Sequence, residues 1–196
     1  SFIEGMLLGS VVSSTDAAAV FSILRAKKLR LKNNMAPLLE MESGSNDPMA
    51  YMLTTIFLGY AVGRVHNLWL LFILQIAVGV GIGVVVGKLA VWMINRIRLY
   101  IDGLYPIIAI GFMLLSFSGA GLLSGNGFLA VYITGLIMGN SRLAYKASLM
   151  RYFDGLAWLM QILLFFTLGL LVLPSHLSSV VLPGIAMAAF IIFVAR

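Results

Sequence analysis

The sequence predicts an all-α, polytopic membrane protein, and three observations carry that prediction. Of its 196 residues, 61% are hydrophobic and 10% charged, with a mean hydropathy of +1.05, against roughly 25% charged in ordinary soluble domains. Apolar runs long enough to cross a ~30 Å hydrocarbon core recur along the chain, which excludes a protein held by a single anchor. The basic residues gather in loops between those runs, so the net charge of +6 reads as membrane topology rather than as attraction to nucleic acid. Cysteine is absent, which removes disulfides and thiolate metal sites.

About seven helices follow from the apolar runs. The first covers about Met6 to Leu24 and carries Ser13, Ser14, Thr15 and Asp16 at its middle, where hydroxyls compete with helix bonds and favour local unwinding. A basic loop with Arg25, Lys27, Lys28, Arg30 and Lys32 ends it. The second runs from about Pro37, a favoured first-turn residue, to Val62. A turn of Arg64, Val65, His66 and Asn67 leads to the third, about Leu68 to Met93, whose Lys88 snorkels to the interface. Arg96 and Arg98 close it, and a fourth follows from about Leu104 to Ser118.

Gly119 to Gly127 reads as a loop or a partly re-entrant turn because of its glycine and serine. The fifth run, Phe128 to Met138, is short for a span, and tilt, longer flanks or packing inside protein would each accommodate it. Asp154 suits an N-cap for a sixth helix over about Gly155 to Leu173. Pro174, Ser175 and His176 turn the chain into a seventh, Ser179 to Ala195. An apolar run near Ser1 and another ending at Arg196 suggest a fragment of a larger transmembrane fold.

Placing the loops alternately on the two sides puts twelve of the 13 basic residues on one side and Arg64 on the other. The positive-inside rule makes the loops at 25–32, 88–103 and 141–154 cytoplasmic. The first helix then enters the cytoplasm and the second returns, so Asp16 and Asp47 lie on antiparallel neighbours at similar depth.

Glu40 to Met52 is the unusual stretch, since it sets carboxylates, an amide and hydroxyls into apolar sequence. An ionisable group at membrane depth is costly and marks a functional site by default. At a rise of ~1.5 Å per residue from Pro37, Asp47 lies about 15 Å in, near the midplane, and Glu42 roughly half as deep. Ser43, Asn46, Asp47 and Ala50 recur at helical intervals on one face. Pro48 donates no N–H and its ring clashes with the Gly44 carbonyl, which breaks the helix and frees an oxygen near the carboxylate. Carboxylate, hydroxyl and carbonyl are hard ligands that alkali cations accept, and a broken helix at this depth belongs where it faces protein or a cavity. A proline-kinked helix whose aspartate is held by a buried hydrogen bond is the alternative.

Other signals point to structure. Gly79, Gly83 and Gly87 lie four apart on the third helix, a spacing for close helix packing. With Gly81 they resemble a nucleotide fingerprint, but that motif needs a preceding strand. His66 and His176 fall in outer turns, and Trp69, Trp92, Tyr100 and Tyr105 sit near helix ends, where an interfacial belt is expected.

Two motifs, Thr15 and Asp16 in Ser-Ser-Thr-Asp-Ala-Ala-Ala-Val and Asn46 and Asp47 in Glu-Ser-Gly-Ser-Asn-Asp-Pro-Met-Ala, resemble the monovalent cation:proton antiporters of the sodium/proton exchanger superfamily. The longer wording is similar to the bacterial potassium/proton branch. Gly135 to Asn140 and Met160 to Val172 look like that family too. The resemblance implies that Asp47 alternately holds a proton and a monovalent cation, with Asp16, Thr15 and Ser43 supplying oxygens and Asn46 as the polar partner of electroneutral members. Glu42 matches a glutamate that pairs with an arginine on a later helix, beyond Arg196. Many members have proline after the Thr-Asp pair, where Ala17 stands here.

By the same resemblance, residues 1–63 belong to a mobile core domain and 64–196 to linker and interface-side helices of a homodimer in the cell membrane. No cofactor is implied beyond transported K+ or Na+ and H+. Burial disfavours a charged carboxylate and a bound cation favours it, so proton and cation compete for Asp47, and alternating access turns that competition into exchange. A cation channel could use the same oxygens without proton coupling. An intramembrane aspartyl protease would also pair two aspartates, but the Tyr-Asp and Gly-x-Gly-Asp sequences such enzymes carry are not found at these positions.

Overall fold

A computed structural model describes residues 2–15, 35–63, 67–97, 99–101, 103–172 and 174–195. The described residues form seven α-helices: α1 Phe2–Val12, α2 Met35–Ala61, α3 Leu68–Arg96, α4 Leu104–Leu122, α5 Gly127–Asn140, α6 Lys146–Leu171 and α7 Pro174–Phe190, the last continued by a π-helical turn, Ile191–Ala195. Three of these, α3, α4 and α6, are long and apolar enough to cross a membrane. The expected end of the first span, the basic loop at 25–32 and Asp16 lie outside the described residues.

The chain divides into two compact units, residues 1–152 and 153–196. Within the first, α3 packs most extensively on α5, α4 covers both, α1 lies along α2, and α2 meets α3 and α5. The α3–α5 seam is made by the glycines four apart. A Cβ at Gly79 would stand 2.9 Å from the Asn126 carbonyl oxygen, one at Gly83 2.7 Å from that of Ala130, and one at Gly87 3.1 Å from Ile137. Only a hydrogen at these positions lets the two backbones approach, the small-residue packing of membrane helices. A polar tie crosses the same seam: the Thr134 hydroxyl donates to the Gly83 carbonyl at 3.1 Å and lies 2.9 Å from the Ser116 hydroxyl of α4. With its one hydrogen so used, Thr134 accepts from Ser116.

Several boundaries differ from the sequence reading. Gly119 to Leu122 belong to α4, not to a loop. Ala120 is fully buried, and the helix stops only where Ser124 takes a left-handed φ of 59°. There the Ser124 N–H donates to the Gly121 carbonyl and the Gly125 N–H to that of Ala120, a Schellman ending with serine where glycine is usual. Similarly, Asp154 is interior to α6 rather than its cap, because the helix begins at Lys146, just after Tyr145 with φ 58°. The Tyr145 ring stacks on Tyr105 with centroids 4.5 Å apart, and its carbonyl accepts the N–H groups of Ser148 and Leu149. The last helix begins at Pro174 rather than Ser179.

The short α5 begins inside the bundle. Its cap, Asn126, donates its backbone N–H to the carbonyl of Gln75, seven residues or ~10 Å past the start of α3. The 14 residues of α5 are therefore preceded, inside the bundle, by the turn at 123–126. In the second unit the apolar side chains of α6 and α7 are mostly exposed, all round their helices.

Candidate functional site

The site forms where α1 gives out. Its last bonds are taken by serines, with the Ser10 hydroxyl on the Met6 carbonyl and the Ser13 hydroxyl on the Ser10 carbonyl, both at 2.7 Å. Hydroxyls that bond to carbonyls three and four residues back compete with the helix ladder. After Val12 the chain leaves the helix, so Ser13, Ser14 and Thr15 are non-helical, as expected of this segment.

Non-helical backbone in apolar surroundings must find partners, and α2 supplies them. The Asn46 side-chain oxygen accepts the Thr15 N–H at 3.5 Å, and its amide donates to the Thr15 hydroxyl oxygen at 2.5 Å. The Ser43 hydroxyl donates to the Thr15 carbonyl. All three polar groups of Thr15 are thereby held by two residues one helical turn apart. Next to this clamp, the Ser14 hydroxyl donates to Asp47 Oδ1 at 2.5 Å. A carboxylate offers about four lone-pair sites, and Ser14 occupies one.

The structure thus brings Thr15, Ser43, Asn46 and Asp47 together, while Asp16 lies outside the described residues. Ser43 is buried, Asn46 half-buried and Asp47 exposed, so the expected polar face has the carboxylate at its open edge. Glu42 is exposed on α2. The expected break at Pro48 does not occur: α2 is helical from Met35 to Ala61 with Pro48 inside it. The irregular backbone at the site comes from the end of α1 instead, where the Ser13 hydroxyl bonds back to Ser10 while the Ser14 and Thr15 hydroxyls bond to α2.

Ser14 belongs to the stretch at 13–16 expected to supply oxygens, and Asn126 was not among the expected site residues. Ser14 holds the carboxylate directly. Asn126 donates through Nδ2 to the Pro48 carbonyl at 2.9 Å, one residue beyond Asp47. Its side-chain oxygen caps α5 by accepting the Leu129 N–H. Asparagine directly before an apolar run is a helix-start signal, and it marks Asn126 in the sequence.

The transmembrane model of the sodium/hydrogen exchanger matches residues 1–196. The chain belongs to that family. It is 41% identical over 198 residues to the K(+)/H(+) antiporter NhaP of Alkalimonas amylolytica and 36% identical over 200 residues to the K(+)/H(+) antiporter NhaP2 of Shewanella sp. strain ANA-3, covering 100% of this chain in each case. The Na(+)/H(+) antiporter 1 of Methanocaldococcus jannaschii is 29% identical over 206 residues, 98% of this chain and 47% of that protein. The chain spans about a third of the length of the NhaP and NhaP2 relatives, 34% in each.

Proposed function

We propose that the full-length protein is a secondary antiporter that exchanges a monovalent cation, potassium in preference to sodium, for protons across the cytoplasmic membrane. The observation that carries this reading is the Asp47 carboxylate set against non-helical backbone that α2 clamps through Ser43 and Asn46. Fixed oxygens beside one carboxylate provide what a dehydrating alkali cation needs and what a proton can displace. The names of the relatives favour potassium, since the two at 41% and 36% identity are K(+)/H(+) antiporters and the sodium one is at 29%.

In this mechanism Asp47 carries either proton or cation, with Ser14, Thr15, Ser43 and Asp16 supplying oxygens and neutral Asn46 holding Thr15 in place. One titrating carrier gives one proton for one cation, hence electroneutral exchange. Alternating access moves the loaded site past a fixed partner domain, with residues 1–63 on the moving side and 64–196 on the linker and interface side of a homodimer. Glu42 pairs with an arginine of a later helix.

The test is cation-driven proton movement by the full-length protein in proteoliposomes, comparing potassium with sodium. Potassium-driven exchange that disappears in Asp47→Ala is the expected result. Cation flux without proton movement would establish a channel instead, and exchange retained by Asp47→Asn would remove Asp47 as the carrier.

A further inference from the structure

Beside the site, where a neighbouring face of α2 meets α5, the Gly125-Asn126-Gly127 turn holds a second polar junction. Asn126 is 3% exposed and every bonding group it has is engaged. Its N–H donates to Gln75 of α3, its carbonyl accepts from Ala130, its side-chain oxygen caps α5, and its amide donates to Pro48 of α2. One residue thus joins three helices, its backbone holding α3 and its side chain α5 and α2.

The junction is fitted closely against α3 and α4 and is tied to α2 by the bond to Pro48. A Cβ on Gly125 would stand 2.5 Å from Val78, and one on Gly127 2.7 Å from Phe117, so glycine on both sides of Asn126 lets the turn sit between α3 and α4. The α2 side is different. Around the Pro48 bond, α2 meets α5 through smooth apolar contacts, with Gly44 against the Tyr132 ring and the Tyr51 ring edge-on to Phe128 at 4.5 Å. Such contacts tolerate sliding, whereas a buried hydrogen bond has one register. Next to the bond lies a cavity of about 190 Å³, lined by Tyr51 and Thr55 of α2 on one side and by Gln75, Phe117 and the 125–127 turn on the other, so there is open space between α2 and the turn.

We propose that Asn126 is a positioning residue for transport, which through the Pro48 carbonyl locks the register of α2, and with it Asp47, against α3–α5. This inference rests on the antiport reading. Because the partners of Asp47 and Asn46 come from the α1 side, loss of the lock leaves the cation's ligands in place and changes how readily α2 moves past α3–α5. The effect falls on turnover rather than on cation affinity.

Asn126→Ser separates the two duties of the residue. Serine still caps α5, since its oxygen accepts at the same position, but its hydroxyl is too short to reach Pro48. In proteoliposomes of the full-length protein, Asn126→Ser is expected to change the maximal exchange rate per folded transporter at least fivefold, with the cation KM within twofold of wild type. Asn126→Ala is expected to show the same change together with a lower melting temperature from the lost cap. A maximal rate within twofold of wild type in Asn126→Ser would overturn the proposal, as would a KM change that accounts for the whole effect.

A second readout does not depend on antiport. These 196 residues hold no cysteine, so in a full-length protein freed of any cysteine elsewhere Thr55→Cys at the cavity gives a single thiol. Its labelling rate by a small maleimide is expected to shift at least threefold when Asn126→Ser is added, and an unshifted rate would overturn the lock even if the protein transports by another mechanism. Failure of exchange in the wild type, with the labelling shift present, would sink the antiport reading and leave the lock standing.

Discussion

Asn46 and Ser45 are neighbours on α2 with unlike duties. The Ser45 hydroxyl bonds only to the Glu42 carbonyl of its own helix, whereas both ends of the Asn46 amide are committed to Thr15. Asn46→Ala leaves the Thr15 N–H and hydroxyl unpartnered, at a cost of about 1–3 kcal/mol. Read as affinity, that is a rise in the cation KM of roughly fivefold to 150-fold, since ~1.4 kcal/mol is tenfold. Ser45→Ala is expected to leave the KM within twofold, and cation titrations of exchange in proteoliposomes check both. The clustering of Ser43, Asn46 and Asp47 was legible because helical spacing alone determines it. The part played by Ser14 was less so, because the direction a side chain takes from non-helical backbone has no period to read. Asn126 was legible as a cap, but its bond to Pro48 joins residues 78 apart in sequence, which no local pattern encodes.

Among the elements, α3 gives the sharpest contrast between glycines that look alike in sequence. Gly83 faces the Ala130 carbonyl and the Ile133 Cβ at 2.7 and 2.8 Å from a would-be Cβ, and Gly81 faces open space. Gly83→Ala must push two helix backbones apart and lose the Thr134 tie, costing about 1–3 kcal/mol as overpacking. Gly81→Ala clashes with nothing and relieves the helix cost of glycine, a gain of up to about 0.5–1 kcal/mol. Thermal unfolding of the purified variants in detergent is expected to show the melting temperature falling for the first and unchanged or raised for the second. The four-residue spacing of Gly79, Gly83 and Gly87 announced this packing without naming α5 as the partner. Helix ends were harder to read. At α4 the sequence offers glycines at 119 and 121, yet the stop is Ser124, because burial of Ala120 carries the helix past both. At α6 the stacking of Tyr145 on Tyr105 sets a start eight residues before the acidic cap that Asp154 suggested.

Across the whole molecule, hydropathy predicted the order of the helices because a ~30 Å apolar layer imposes a length that the chain must match. It gave no depth for the 123–126 turn, since depth there is set by the bonds of Asn126 to α2 and α3 rather than by composition. Sidedness rests on the alternation of spans and on the basic loops, and the absence of cysteine from these 196 residues helps make it open to a direct test. Val62, after α2, and Tyr100, between α3 and α4, are both well exposed at 62% and 102%, so single cysteines at these positions, in a full-length protein freed of any other cysteine, report the side each occupies. With the basic side cytoplasmic, an impermeant maleimide is expected to label Val62→Cys in intact cells and Tyr100→Cys only after permeabilisation. Labelling of both in intact cells would mean that α3 does not cross, and the opposite pattern would invert the whole topology. Inversion would also reverse α2, and Asp47 with it, because consecutive spans alternate in direction and must reverse together.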